Sequence, residues 1–266
     1  MRSNGMRWTM AAVVMVLFAL WQRWSGPTYP RRGAITVGGA SIPVKLIRTH
    51  GGPGDQPILI VAPDTGIHGA LTWRRYPTDD AWETIPFGRA GDTLVSALPH
   101  QPPAGKLEYR VTLRRAGAEA TWPDQPVVTR FRGDVPAYVL APHILAMVLT
   151  LLFAARAGIA ALAREPAMRR YAQMTATALL IGGFVLGPIA LWYAFDVWWE
   201  GVPLGWDLTD NKTMIAGLAW LWALIRMRGG REARGAILAA AVVTLAVFAV
   251  PHSLFGSQVD WSATPR

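Results

Sequence analysis

The side chains best suited to chemistry lie in one tryptophan- and carboxylate-rich segment, residues 195–213. It reads FDVWWEGVPLGWDLTDNKT and contains four carboxylates followed by an amide: Asp196, Glu200, Asp207, Asp210 and Asn211. Oxygen atoms of these types are the ligands of Ca²⁺ and Mg²⁺, so Glu200, Asp207 and Asp210 form a candidate site for a divalent cation. Their spacing does not match an EF-hand loop.

The same segment has two other interpretations. One is the aromatic belt that tryptophan and tyrosine form at a membrane surface, with Asp210 or Thr209 capping the helix that follows. The other is a docking surface, because tryptophan is enriched where one protein anchors in another. The candidate partner-binding residues are Trp198, Trp199 and Trp206.

Two histidines follow prolines within or beside apolar runs, His143 in APHIL and His252 in VPHSL. Histidines on different helices can be the axial ligands of b-type haem, so His143 and His252 are candidate haem ligands. The alternative places both at the membrane surface, where proline ends or opens a helix. Haem b or a divalent cation are thus the cofactors that the sequence allows, and bound lipid or pigment is compatible with its apolar runs.

Composition excludes several other kinds of site. The 266 residues include no cysteine, which excludes disulfides, thiolate metal centres and cysteine nucleophiles. No Ser/His/Asp arrangement, phosphate loop or nucleophile elbow is recognisable, so we predict no catalytic residue and no enzyme activity. Many of the arginines behind the net charge of +9 flank apolar runs, which indicates a membrane protein and no nucleic-acid partner.

Five apolar runs predict membrane helices in a chain that is 52% hydrophobic and 16% charged. They cover residues 8–21, 138–155, 174–195, 213–225 and 236–250. The first is interpreted as a short retained anchor, since no signal-peptide cleavage pattern follows it. The last two span only about 20–23 Å, so a re-entrant hairpin is the alternative for this pair. Gly183 and Gly187 form a small-xxx-small pattern for close helix packing, within the bundle or with a partner.

Charges in the connections predict the orientation. Arginines dominate residues 156–170 and 226–234, which the positive-inside rule places in the cytoplasm, whereas carboxylates dominate residues 196–210. The predicted protein lies in a bacterial inner membrane with a cytoplasmic N-terminus. Its predicted parts are an anchor (1–24), a periplasmic β domain (25–135), a four-helix membrane domain (136–254) and a periplasmic tail (255–266).

The region 34–132 shows short β-prone runs separated by Gly and Pro. The runs are residues 42–49, 57–61, 70–76, 93–98, 107–115 and 127–132. Roughly seven strands at such spacing predict a sandwich.

Residues 98–113, LPHQPPAGKLEYRVTL, resemble the penultimate strand and its preceding turn in fibronectin type III and related immunoglobulin-like domains. The resemblance implies an immunoglobulin-like sandwich over about residues 34–134, with Tyr109 as the corner tyrosine and Trp73 as the core tryptophan. Alternating residues of the strand would face the core: Leu107, Tyr109, Val111 and Leu113. Such domains mostly bind or space other proteins.

The predicted fold class is therefore a multi-pass α-helical membrane protein, with about five transmembrane helices and an inserted all-β immunoglobulin-like domain. We predict a non-catalytic accessory subunit of a larger inner-membrane complex, bound to other membrane subunits and to lipid. Respiratory and photosynthetic electron-transport complexes are possible hosts by analogy. Two other classes stay open: a haem-b electron-transfer protein using His143 and His252, and a membrane-anchored periplasmic binding or sensor module.

Overall fold

The chain forms two compact units. The computed structural model describes residues 2–230, 232–252, 256, 259 and 261. One unit comprises Met1–Pro27 with Val135–Ser257 and is helical, and the other comprises Thr28–Asp134 with Gln258–Arg266 and is rich in β-strands.

Most of the predicted tail, residues 255–266, lies outside the described residues, as does Arg231 of the second basic connection. Trp261, which is described, donates its indole N–H to the Tyr76 carbonyl at 3.2 Å. The Arg75 guanidinium lies 5.1 Å from its ring centroid. This part of the tail therefore packs on the β-rich unit.

The described residues of the β-rich unit form ten strands in three sheets. In chain order they are β1 (Arg31–Val37), β2 (Ala40–Leu46), β3 (Thr49–Gly51), β4 (Gln56–Val61), β5 (His68–Arg75), β6 (Glu83–Pro86), β7 (Gly88–Ala90), β8 (Thr93–Leu98), β9 (Lys106–Arg115) and β10 (Ala118–Arg132). The sheets have the orders β1-β2, β3-β10-β9-β5-β6 and β4-β8-β7. Only the described pair β3–β10 is parallel. This arrangement is compatible with the predicted β-sandwich.

Alternating burial along β9 defines the core of this unit. Leu107, Tyr109, Val111 and Leu113 are all fully buried, which confirms the predicted inward face of the strand. Trp73 on β5 lies directly opposite Tyr109 and is also buried. Both aromatic side chains predicted for the core therefore lie in it.

The hydrogen bond of Tyr109 differs from the one that the resemblance implied. A corner tyrosine bonds a backbone group a few residues upstream, whereas the Tyr109 hydroxyl donates to the Ile47 carbonyl, between β2 and β3, at 2.6 Å. Tyr109 therefore lies in the core as predicted, but its hydroxyl does not make the hydrogen bond of a corner tyrosine. Thr129 on β10 similarly donates to Gln56 on β4 at 2.6 Å, so buried polar side chains link the five-stranded sheet to segments outside it.

The described residues of the helical unit form seven helical segments of seven residues or more, besides the single 3-10 turn Arg228–Gly230 after α5. They are α1 (Arg2–Ser25), α2 (Ala137–Leu162), α3 (Met168–Leu179), a π-helical segment (Leu180–Leu186), α4 (Gly187–Phe195), α5 (Leu208–Arg226) and α6 (Arg234–Ala249). The segments from Met168 to Phe195 are continuous, so the unit has five helical rods, at the positions of the five predicted apolar runs.

Within the described residues, three rods are long and apolar enough to cross a membrane: Asn4–Ser25, Ala137–Leu162 and Met168–Phe195. The first is 22 residues long, longer than the short anchor predicted from its apolar core. α6 is apolar but shorter. Crossing by α5 and α6 stays a prediction.

Alanines make up most of the helical core. They come from α2, α3, α5 and α6 and include Ala154, Ala157, Ala161, Ala172, Ala216, Ala223, Ala240 and Ala241. Small side chains allow helix backbones to approach closely. The large exception is Trp220 on α5, which is fully buried and donates its indole N–H to Thr244 on α6 at 2.8 Å.

Glycines allow the π-helical segment to pack tightly on α5. A Cβ atom at Gly183 would lie 2.7 Å from Cγ2 of Thr213, and one at Gly217 would lie 2.6 Å from the Phe184 ring. A Cβ atom at Gly187 would lie 3.8 Å from the His143 ring on α2. The predicted small-residue pattern thus lies against helices of the same chain.

Candidate functional site

The loop between α4 and α5, residues 196–207, is the candidate functional site. At its start Asp196 has a left-handed φ of 59°, and its N–H donates to the Trp192 carbonyl at 2.8 Å. This conformation ends a helix, and Asp tolerates it better than most residues. The chain then turns away from α4 and continues into the tryptophan-rich loop.

Asp207 caps the N-terminus of α5. Its Oδ1 atom accepts the N–H groups of Thr209 at 2.7 Å and Asp210 at 3.2 Å. The predicted cap at Asp210 or Thr209 is wrong because α5 begins earlier, at Leu208. Asp207 thus satisfies donors that the helix leaves free and places a negative charge at the positive end of its dipole.

The next two polar side chains tie the loop to the first turn of α5. Asp210 accepts the N–H of Glu200 at 2.7 Å, and Asn211 accepts the N–H of Val202 at 2.8 Å. In the reverse direction, the Asp207 N–H donates to the Glu200 carbonyl at 2.9 Å. These side-chain and backbone hydrogen bonds join the loop to the start of α5 and restrict the conformation of the loop.

The ordered loop exposes large apolar side chains. Trp206 is 87% exposed, Leu204 77% and Trp198 54%. Trp198 stacks on Trp192 of α4 with ring centroids 5.1 Å apart, and Trp199 stacks on Phe184 with centroids 6.1 Å apart. Trp199 therefore holds the loop against the π-helical segment. The side chains of Trp206 and Leu204, in contrast, are left uncovered by the described residues.

The predicted cation site gains no support from this geometry. Across the described residues, no three side chains of the His, Cys, Asp or Glu types lie close enough to share a metal ion. Asp207 and Asp210 instead accept backbone N–H groups. The metal site at Glu200, Asp207 and Asp210 stays a prediction.

The two candidate haem ligands have different surroundings. His143 contacts the Gly182 carbonyl of the π-helical segment through Nδ1 at 3.0 Å; because a carbonyl only accepts, Nδ1 carries the proton. His252 is exposed, and its backbone N–H donates to the Gln22 side chain of α1 at 2.8 Å. Nothing in these contacts joins the two rings, so haem ligation stays a prediction.

A buried ion cluster lies at the opposite end of the helical unit. Arg156 is fully buried in α2, and not in the connection where the charge pattern placed it. It donates to Glu165 at 2.7 Å and to Asn4 of α1 at 2.9 Å, and Arg7 of α1 also pairs with Glu165 at 2.7 Å. The hydrogen bond from Arg156 is the main reason that the pKa of Glu165 lies below its ordinary value.

The surroundings of Arg156 are aromatic. Its guanidinium lies 4.4 Å from the Tyr171 ring centroid and 5.5 Å from that of Trp8, distances that favour cation–π attraction. Sequence reasoning missed this cluster. The signal that could have found it is the position of Arg156 directly after an apolar run with Glu165 nine positions later, the sequence separation that the bond spans.

The carbonyl groups at the end of α6 are bound by side chains of α1 and α5. Trp21 of α1 donates to the Ala249 carbonyl at 2.7 Å, and Gln22 donates to the carbonyls of Phe248 and Val250. Lys212 of α5, which is buried, donates to the Val250 carbonyl at 2.8 Å. The last carbonyls of a helix have no partner within it, so these side chains satisfy the free carbonyl groups at the C-terminus of α6.

Comparisons with models of protein families, with curated proteins and with solved structures find no match to this chain.

Proposed function

We propose that the protein is a non-catalytic accessory subunit of a larger membrane assembly, docked to its partner through the loop of residues 196–207. The observation that carries the proposal is the exposure of Trp206 and Leu204 on a loop held by side-chain caps. An exposed tryptophan on an ordered loop is typical of an interface hot spot. Because the loop is already ordered, binding requires little loss of conformational entropy.

The membrane location of this proposal rests on the three apolar rods of sufficient length. In a bacterium the membrane would be the inner one, with the N-terminus in the cytoplasm and the β-rich unit outside. The partner surface for the loop would then be the periplasmic end of another membrane subunit. A tryptophan at the boundary between membrane and water suits such a surface because it has an apolar body and a polar N–H group.

For the β-rich unit we propose an immunoglobulin-like sandwich that contacts an extracytoplasmic part of the same assembly. Its strand orders support this. In that fold one sheet carries strands C, F and G side by side, and the other carries B, E and D. The neighbours β5-β9-β10 and β4-β8-β7 follow both orders when β4 is taken as strand B and the β6 edge strand as an addition to the first sheet.

Purification from the native membrane in mild detergent tests the subunit proposal. We expect the wild-type chain to carry a stoichiometric partner, and Trp206→Ala to weaken that association by at least 2 kcal/mol, about 30-fold. The readout is the ratio of partner to chain on size-exclusion chromatography, measured by mass spectrometry.

Trp222→Ala is the matched control, since Trp222 is also an exposed tryptophan but lies along α5, away from the loop. We expect it to leave the ratio unchanged. Recovery of the wild-type chain as a lone monomer would contradict the subunit proposal, and equal loss of partner in both variants would contradict the role of the loop.

A further inference from the structure

Seven cationic side chains gather at one end of the β-rich unit, where the chain enters and leaves it. They are Arg31, Arg32, Lys45, Arg48, Lys106, Arg130 and Arg132; we call them the basic end. Two of the seven lie at the start of β1 and two at the end of β10.

Strand register brings these residues together. Arg32 lies directly opposite Lys45 in the β1–β2 hairpin, and Arg31 lies opposite Leu46, two residues before Arg48. Across the gap to β10, the Arg130 N–H donates to the Arg48 carbonyl at 3.2 Å. Arg130 is in turn opposite Lys106 on β9. The basic end is thus continuous from the hairpin to the five-stranded sheet.

The hairpin half of the basic end has no counter-charge among the described residues. Arg31, Arg32 and Lys45 are exposed, and no described carboxylate lies within 4 Å of their charged groups or of Arg48. Asp134 is at the same end of the unit, beside Gly51 and the Arg132 guanidinium. Burial, and then the charge of Arg31, lower the pKa of Arg48, which indicates that its positive charge is held at a cost.

Short linkers join the basic end to α1 and α2 in the sequence. α1 ends at Ser25 and β1 begins at Arg31, while β10 ends at Arg132 and α2 begins at Ala137. The linkers, residues 26–30 and 133–136, can extend at most about 3.5 Å per residue, or roughly 18 Å for the longer one. If α1 and α2 enter a membrane as proposed above, both linkers hold this end within reach of the lipid head groups.

We propose that the basic end binds the phosphates of anionic phospholipid head groups in the membrane that α1 and α2 enter. Guanidinium groups match phosphate oxygens in a bidentate geometry, and Lys contributes a point charge. The exposed cations of the hairpin, Arg31, Arg32 and Lys45, fit head groups in a plane better than one small anion in a pocket. The inference rests on the membrane location in the proposed function, and not on the identity of any partner subunit.

The test uses the full chain in mild detergent and measures bound lipid by native mass spectrometry. Phosphatidylglycerol, phosphatidylcholine and inorganic phosphate are titrated separately. In the wild type we expect retained phosphatidylglycerol and no comparable retention of phosphatidylcholine. Arg32→Gln with Lys45→Gln should weaken the tightest phosphatidylglycerol binding about 30-fold, as expected for two juxtamembrane cations. Raising the salt concentration should weaken it further.

Two controls test whether lipid binding depends on the charge of residues 32 and 45, on the shape of their side chains or on their position. Arg32→Lys with Lys45→Arg keeps both charges and should retain the lipid. Arg114→Gln removes a cation whose side chain is 67% exposed at the far end of β9 and should also retain it.

Three results would overturn the proposal: unchanged phosphatidylglycerol binding in the glutamine variant, equal retention of phosphatidylcholine, or displacement of the lipid by inorganic phosphate, which would assign the site to free phosphate. Partner content measured in the same preparations reports on the subunit proposal separately. Release of the chain from membranes by salt washing without detergent would instead contradict the membrane location.

Discussion

The surroundings of Arg156 differ from those that its position in the sequence predicts. The sequence places it beside other arginines whose role is to orient helices, yet it lies inside α2 with its charge between Glu165, Asn4 and two aromatic rings. A buried charge is tolerated when it is paired and hydrogen-bonded. The cluster therefore joins α1, α2 and the connection to α3 at one point.

Glu165→Gln should destabilise the helical unit by about 3 kcal/mol, because it leaves Arg156 buried without a counter-charge. The measurement is unfolding in detergent, followed by the helical circular dichroism signal. Glu119→Gln is the matched control, since it breaks the exposed pair with Arg114, for which at most about 1 kcal/mol is expected.

Acid provides a second measurement of the same pair. Because Arg156 lowers the folded-state pKa of Glu165, the stabilisation is present above the ordinary carboxyl pKa of about 4.3. It is lost as the pH falls through the lower folded-state value. Over that range the difference in stability between wild type and Glu165→Gln should shrink. A constant difference would show that the carboxylate charge is not what stabilises the cluster.

At the scale of elements, the apolar runs predict most of the strands and miss the short or irregular ones. All six predicted runs contain strands. β1 is missed because its burial alternates only over its last three residues, and β6 and β7 are only four and three residues long, too short for a period of two to be visible. The first half of β10 contains Pro123 and Pro126, which argue against a strand. The structure accommodates them at an irregularity in pairing between Trp122 and Val127.

The candidate loop shows the same limit. Its tryptophans and carboxylates are evident from composition, but the sequence DLTD offers two capping aspartates. Only the start of α5 at Leu208 decides that Asp207 is the cap and Asp210 binds the loop backbone. A choice between two chemically equal caps depends on the tertiary contacts of the loop, which local patterns do not contain.

Packing between the π-helical segment and α5 gives a prediction at this scale. Gly183→Ala and Gly217→Ala each insert a methyl group within 2.7 Å of a neighbouring side chain and should lower stability by about 1–3 kcal/mol. Thermal unfolding in detergent measures the change.

Gly5→Ala is the control, because a Cβ atom at Gly5 meets nothing within 4 Å. It should leave stability unchanged or raise it by about 0.5 kcal/mol through helix propensity. If all three variants behaved alike, close packing at Gly183 and Gly217 would be the wrong explanation for these glycines.

At the scale of the whole molecule, the connections between helices form two sets, and each set lies at a different end of the helical unit. Arg234 of α6 donates to the Ala161 carbonyl at the end of α2 at 2.7 Å, and Arg169 of α3 donates to the Met227 carbonyl after α5. Both basic connections therefore lie at one end, with the Arg7–Glu165 pair. The same arginines that predict orientation also bind helix C-termini, which cations favour.

Cysteine labelling in intact cells tests which end faces the cytoplasm, and the chain contains no native cysteine to interfere. Thr36→Cys on β1 should react with a membrane-impermeant maleimide added outside. Ala163→Cys, between α2 and α3, should react only after permeabilisation. Both positions are exposed. The reverse pattern would invert the proposed orientation.

The contacts that complete α6 also impose an order on biosynthesis. Trp21 and Gln22 leave the ribosome early, whereas the carbonyl groups that they bind lie 226–228 residues later. At ordinary translation rates that separation corresponds to roughly 10–45 s. During this interval Trp21 and Gln22 lack the carbonyl groups that they bind in the folded protein. The end of α1 therefore acquires its native contacts only when the last helix has been made.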